Sequence, residues 1–148
     1  SKVRIKLSDG KKMMEGLGFS TKIVSEEIHL VRISVGSLGF LEGATTNEIY
    51  KKAEELGLEL CPAEVGPHYR LTYTAQPINE HLYIAMKPIF SPDGSARIFA
   101  LIHFGDDLEL DRDYGRPEEQ FHFENEFLFR LPKKITPETS HPPATVGQ

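Results

Sequence analysis

A succession of short strand-like segments in the second half of the chain most limits what it can fold into. Four runs rich in β-branched and aromatic residues follow one another, at Tyr69–Ala75, Leu82–Phe90, Ala96–Phe104 and Phe121–Leu131. The acidic run Asp107–Asp113 resembles a weaker fifth strand. Strands joined by short links pair antiparallel, because a parallel pair needs a crossover of about a dozen residues or more. The sequence therefore predicts an antiparallel sheet.

The strongest predicted pairing surrounds the sequence SPDGS at Ser91–Ser95. Pro92 fixes φ at the first corner of a turn, and Gly94 relieves the later corner. The runs Leu82–Phe90 and Ala96–Phe104 should therefore be neighbours, and their largely apolar faces place them in the middle of the sheet. Pro88 cannot donate a ladder bond, so it predicts a bulge or an edge near the end of its strand.

A helix with marked ends precedes these strands. Thr45 and Glu48 have the spacing of a capping box, and Gly57 tolerates the positive φ common just past a last turn. Ile49, Ala53 and Leu56 form a single apolar stripe, which suits a helix covering a sheet. We therefore predict an α+β domain with an antiparallel sheet of about five or six strands and one principal helix packed on one face.

The chain ends and the remaining strands complete this prediction. Glu26–Val35 reads as a further strand, and basic residues alternate with apolar ones in Lys2–Leu7. The acidic run Asp107–Asp113 alternates in the same way, so the two could pair in one sheet with charge facing charge. In the last strand-like run four phenylalanines take alternate positions and are predicted core residues, namely Phe121, Phe123, Phe127 and Phe129.

Composition restricts the class of protein. With 148 residues, 39% of them hydrophobic, the chain fits one globular domain over residues 1–131, followed by a Pro/Thr-rich flexible tail at 132–148. No apolar run approaches the ~20 residues that cross a bilayer, so we expect no membrane partner. The single cysteine favours the cytoplasm. A net charge of −5 disfavours nucleic-acid binding, which needs clustered cations; that class would have to use the basic N-terminus, with Tyr69 or Tyr73 as stacking surfaces.

Cys61 and His68 are weak candidates for catalysis. If a short helix began at Pro62, its N-terminus would lie beside the Cys61 thiol and stabilise a thiolate, with His68 as a base. No third group is identifiable, and free cysteines are commonly buried, so a structural role for Cys61 is the stronger interpretation.

Metal binding is a second weak possibility. His122, Glu124 and Glu126 would share one strand face, and His103 on a neighbouring strand could approach them. Alternating charge on a solvated strand is commonplace, and the spacing matches no recognised metal motif. Phosphate, dinucleotide and calcium motifs are absent as well, so the sequence predicts no cofactor.

The segments ATTNEIYKKAEELGLELCPAEVGPHYRLTY and QPINEHLYIAMKPI are similar to a set of small bacterial proteins of unknown activity. The resemblance implies a compact bacterial cytosolic domain and no particular chemistry. We predict a non-catalytic binding or protein-interaction module for another protein or a small ligand. Its expected site is a concavity between the Cys61–His68 turn and the sheet, bounded by Tyr69, Arg70, Gln76 and His103. A thiol enzyme, a metal-assisted hydrolase and a nucleic-acid binder are the alternatives.

Overall fold

A computed structural model describes the backbone of residues 4–6 and all of residues 28–132. The helices are α1 (Thr46–Glu55) and α2 (Val65–Thr72), with a 3₁₀ turn at Gly36–Leu38. The strands are β1 (Arg4–Lys6), β2 (Leu30–Ser34), β3 (Ala44–Thr45), β4 (His81–Ile84), β5 (Ile89–Phe90), β6 (Ala96–Phe104), β7 (Asp107–Tyr114), β8 (Gln120–Phe121) and β9 (Glu126–Arg130). In this part of the chain no helix has the length and apolarity needed to span a membrane.

The principal sheet has the strand order β1-β7-β6-β4-β9-β2, and β5 extends the pairing of β6. The pairs β7–β6, β6–β4, β5–β6 and β9–β2 are antiparallel, whereas β1–β7 and β4–β9 are parallel. A separate small ribbon joins β3 to β8. The predicted α+β class and the mainly antiparallel sheet are confirmed.

The two helices cover opposite faces of this sheet. Residues paired across strands share a face, so Tyr83, Ala100 and Phe127 lie on one side. The Tyr50 ring of α1 packs edge-on against Phe127 at 6.2 Å on that side. Phe99 points to the other side, where Gly66 of α2 approaches its ring closely. The predicted principal helix is thus α1, and α2 is a second, shorter cover.

The predicted ends of α1 are confirmed. The Thr45 side chain accepts from the Glu48 amide at 3.2 Å, and the Glu48 carboxylate accepts from the Thr45 amide at 2.9 Å. Gly57 has φ +86° just beyond the last turn. Ile49 and Ala53 are buried, but Leu56 is 57% exposed because the helix ends there.

The prediction of a strand at Tyr69–Ala75 is wrong, because α2 runs through most of that segment. Pro67 lies in the first turn of this helix, where its missing amide hydrogen costs nothing. Val65, Tyr69 and Tyr73 recur at helical spacing, and Arg70 is completely buried against the sheet. The helix also begins at Val65 rather than at Pro62.

The single strand predicted over Phe121–Leu131 is also wrong in its continuity. A turn at residues 122–125 separates β8 from β9, because the Asn125 carboxamide accepts from the His122 amide at 2.7 Å and holds the bend. Phe121, Phe127 and Phe129 are buried, as predicted, whereas Phe123 in the turn is 41% exposed.

The remaining strand predictions agree with the structure in most respects. The run Leu82–Phe90 divides into β4 and β5 on either side of a gap that ends at Pro88, as that proline predicts. The turn at Ser91–Ser95 closes through Ser91 N to Ser95 O at 2.9 Å. The backbones of β1 and β7 pair, with Arg4 opposite Asp107. The tail from residue 133 and most of the N-terminal segment lie outside the described residues.

The link between the helices passes through the plane of the sheet. Glu59 and Arg130 exchange two backbone hydrogen bonds of 2.9 and 2.8 Å, and the Cys61 amide donates to Ala85 O at 2.7 Å. The chain therefore leaves α1 on one face, crosses beyond the end of β4, and begins α2 on the other face. This crossing places α2 over β6 and β7, with one side of the helix turned toward β2.

Candidate functional site

A groove runs between β2 and α2, and we name it the β2–α2 groove. The groove contains a cavity of about 280 Å³. The cavity is lined by Ile28, Leu30, Glu64, Val65, His68, Tyr69 and Thr72. Most of the side-chain wall is apolar, with a carboxylate, an imidazole and a hydroxyl around it. A cavity of this size can hold one large amino-acid side chain.

Helix and strand periodicity bring these residues together. Val65, His68, Tyr69 and Thr72 follow the i, i+3, i+4, i+7 pattern of one helix face. Leu30 lies on the sheet face that α2 covers, because successive strand residues alternate between faces. The Tyr69 ring is held in place by Tyr73, whose centroid is 5.4 Å away.

Strand β2 presents an open row of backbone groups beside the cavity. It ends the strand order, and no other strand in the described residues pairs with its outer side. Leu131 N donates to His29 O at 2.8 Å, and Val35 N donates to Asn125 O at 2.9 Å. Ladder bonds of an antiparallel pair recur at every second residue. The amides and carbonyls of Leu30, Arg32 and Ser34 therefore point away from β9.

A charged cluster, formed by Arg32, Tyr73, Glu80 and Glu126, continues the groove along β2. Arg32 Nε donates to Glu126 Oε1 at 2.6 Å, and Arg32 Nη1 donates to the Tyr73 hydroxyl at 2.9 Å. Arg32 Nη2 forms an ion pair with Glu80, whose other oxygen accepts from Tyr73 at 2.8 Å. Burial raises the pKa of Tyr73, so this phenol stays protonated and keeps its bond to Glu80.

Of the predicted binding residues, only Tyr69 lines the cavity. Arg70, Gln76 and His103 do come together, but they form a largely buried bonding network. Arg70 is completely buried, and it donates to Gln76 Oε1 at 2.7 Å, to Tyr73 O at 2.6 Å and to Glu109 O at 3.0 Å. His103 Nδ1 donates to Gln76 O at 2.6 Å. These side chains hold α2 and the following loop on the sheet and do not line the cavity.

Cys61 and His68 do not form a catalytic pair. The Cys61 thiol is buried and donates to Leu128 O at 3.4 Å. Burial raises its pKa to about 12, so the thiol is protonated at neutral pH. His68 is exposed at the β2–α2 groove, whereas Cys61 lines a different cavity with Lys87 and Arg130.

The predicted metal ligands are also separated by the structure. His122 and Glu124 lie in the turn between β8 and β9, so the shared strand face on which that prediction rested does not exist. Glu126 is bonded to Arg32, and His103 is bonded to Gln76. Across residues 28–132, no three His, Cys, Asp or Glu side chains meet in a way that could hold a metal ion.

Sequence reasoning missed the β2 side of the groove. The strand pattern places Ile28, Leu30 and Arg32 on one face, and a cation that continues an apolar face signals a buried counter-charge. The sequence does not indicate that Glu80 and Glu126 are the partners of Arg32, because both are distant from it in the chain.

Comparison with protein families, characterised proteins and solved structures finds no match to this chain. The resemblance to small bacterial proteins stays a prediction.

Proposed function

We propose that the protein is a non-catalytic binding module that takes an extended peptide of another protein into the β2–α2 groove. The peptide adds a strand to the outer side of β2. This mode of recognition obtains affinity from backbone hydrogen bonds and specificity from pockets for alternate side chains. A cytoplasmic location belongs to the proposal, and the single cysteine supports it.

One observation carries the proposal, namely that the open backbone row and the cavity lie side by side. Leu30 contributes its outward backbone groups to the row and its side chain to the cavity. A strand paired with β2 lies about 4.8 Å away, and we expect its side chain beside Leu30 to lean over that residue toward the cavity walls Val65 and Tyr69. Neither an added helix nor a flat surface would use both features.

A foreign peptide fits this edge better than a second copy of the chain. A symmetric antiparallel pairing of two β2 strands, centred on the middle residue Arg32, brings together two charged clusters that each hold one cation and two carboxylates. Like charges directly opposite one another destabilise a strand pair. A peptide from another protein has no such constraint.

Amide hydrogen exchange tests strand addition residue by residue. We expect a peptide selected from a random displayed library to slow exchange at the amides of Leu30, Arg32 and Ser34. The amides of Val31 and Ile33 already bond to β9 and should be protected with or without peptide. Equal protection at all five positions in the free protein, or peptide-induced protection elsewhere only, would contradict strand addition.

Two adjacent variants on α2 test the cavity. Thr72 lines it and Leu71 does not, although both side chains are exposed. Thr72→Trp should fill the cavity and lower peptide affinity about tenfold or more, since an apolar anchor of an interface contributes about 2 kcal/mol. Leu71→Trp is the matched control and should bind within about twofold of the parent. Equal effects of the two variants, measured by fluorescence anisotropy, would show that the cavity is not the binding site.

A further inference from the structure

We infer that the β2–α2 groove selects a peptide with a large apolar side chain and, four residues away, a lysine or arginine that bonds to Glu126. This inference rests on the proposed strand addition and names the chemistry of its partner. Each of the two specificity positions follows from the register of β2 and from the contacts of the charged cluster.

The apolar position faces Leu30. A peptide side chain beside Leu30 points to the face that α2 covers, toward the cavity lined by Ile28, Val65 and Tyr69. The cavity of about 280 Å³ exceeds the space of a small residue, so alanine or serine would leave part of it empty. A leucine, methionine or phenylalanine is the expected occupant.

The basic position faces Ser34, which lies four residues along the same face. Ser34 pairs with Glu126 on β9, so an added strand, Ser34 and Glu126 lie in one line across the sheet. Neighbouring strands are about 4.8 Å apart, which puts the peptide backbone roughly 10 Å from that of Glu126. A lysine or arginine can bridge this distance over the small serine side chain. A short acidic side chain cannot approach it favourably.

Glu126 is the open carboxylate of the charged cluster. The cluster holds one cation, Arg32, and two carboxylates. Both oxygens of Glu80 already accept hydrogen bonds, from Arg32 and Tyr73. Only Oε1 of Glu126 accepts a bond from the described residues, and the side chain is 34% exposed. A ligand cation would complete its bonding and balance the charge.

The surrounding charge favours the same ligand. Residues 28–132 contain seventeen acidic and nine basic side chains, and Glu64 adds a further carboxylate at the cavity. An acidic surface attracts a basic peptide during encounter and disfavours an acidic one.

The test uses the full chain and peptides selected on it from a random nine-residue library. Selected sequences should carry a basic residue four positions from a large apolar one. Replacing that lysine or arginine by methionine should weaken binding about tenfold, as expected for a charge-assisted bond that is partly exposed. In the Glu126→Gln protein the same peptide change should matter less than about twofold.

Two further variants keep the test decisive if Glu126→Gln weakens the fold. Glu80→Gln removes the same charge from the cluster but leaves the open carboxylate, so the tenfold preference should persist. Ser34→Val retains all charges but obstructs the crossing, so the preference should fall. Peptides that bind and protect the β2 amides without any basic preference would overturn this inference alone. Equal loss in Glu80→Gln and Glu126→Gln would overturn the assignment to Glu126, and absence of β2 protection would overturn the proposed function itself.

Discussion

Replacing Gly66 by alanine should disturb the packing of α2 on the sheet and destabilise the protein, although alanine is normally the better helix former. A Cβ at this position would lie 2.7 Å from Cδ2 and 2.9 Å from Cγ of the Phe99 ring. Ordinary contacts begin near 3.4 Å, so the helix would have to rise by about 0.7 Å. Phe99 is completely buried in the central strand β6, so its ring has little freedom to move away.

The magnitude follows from two opposing contributions. Overpacking a tight core costs typically about 1–3 kcal/mol, and the close approach of two ring carbons and the Cβ of Phe99 places this site near the upper value. The gain in helix propensity from glycine to alanine returns about 1 kcal/mol. We therefore expect Gly66→Ala to lower the free energy of unfolding by about 2 kcal/mol, measured by urea denaturation followed by circular dichroism.

A double-mutant cycle identifies the cause. Phe99→Ala removes Cγ and Cδ2, the two closest atoms, and should by itself destabilise the fold, yet in that background Gly66→Ala should become neutral or stabilising. Such a reversal corresponds to a coupling energy of about 2 kcal/mol. If Gly66→Ala costs the same in both backgrounds, or stabilises the parent protein, contact with Phe99 does not set the height of α2.

Two further predictions concern buried polar groups. The pKa of Cys61 is about 12 in the folded chain, so above the ordinary thiol pKa near 9 the unfolded chain ionises first and stability falls as pH rises. The free energy of unfolding should decrease more steeply between pH 8.5 and 10 in the parent than in Cys61→Val, and equal slopes in urea titrations would contradict the burial of this thiol. Arg70→Met should cost about 2–4 kcal/mol, because the acceptors at Gln76, Tyr73 and Glu109 lose their donor. The exposed neighbour Leu71→Met should change the urea midpoint negligibly, and an Arg70→Met protein as stable as that control would rule out a fastening role for the network.

The sequence predicted the elements whose signals are local. Thr45, Glu48 and Gly57 specify the ends of α1 within a dozen residues, and Pro92 with Gly94 specifies the hairpin. The segment of α2 predicts a strand because its tyrosines favour strands. Its packing against Phe99 favours the helix, but this contact exists only in the folded chain.

The site was harder to predict than the fold. The sequence placed its predicted site near the start of α2, and that prediction shares Tyr69 with the β2–α2 groove. It placed Arg70, Gln76 and His103 on the walls because loops carried on a rigid sheet often serve recognition, whereas in the structure these side chains bond to one another and to the backbone. The other wall is β2, whose position at the edge depends on pairing with β9, about a hundred residues away. No local pattern contains that information.

Because β2 pairs with β9, the edge strand of the groove gains its partner only late in the synthesis of the chain. In the described chain β2 is among the first strands to be synthesised, but its partner β9 is the last. Contacts so distant along a chain close slowly, because the intervening loop must first lose its freedom. A ribosome-bound chain that still lacks β9 therefore lacks the edge that we propose for peptide binding. Ligand capture at β2 would in this way report that translation has reached the end of the sheet.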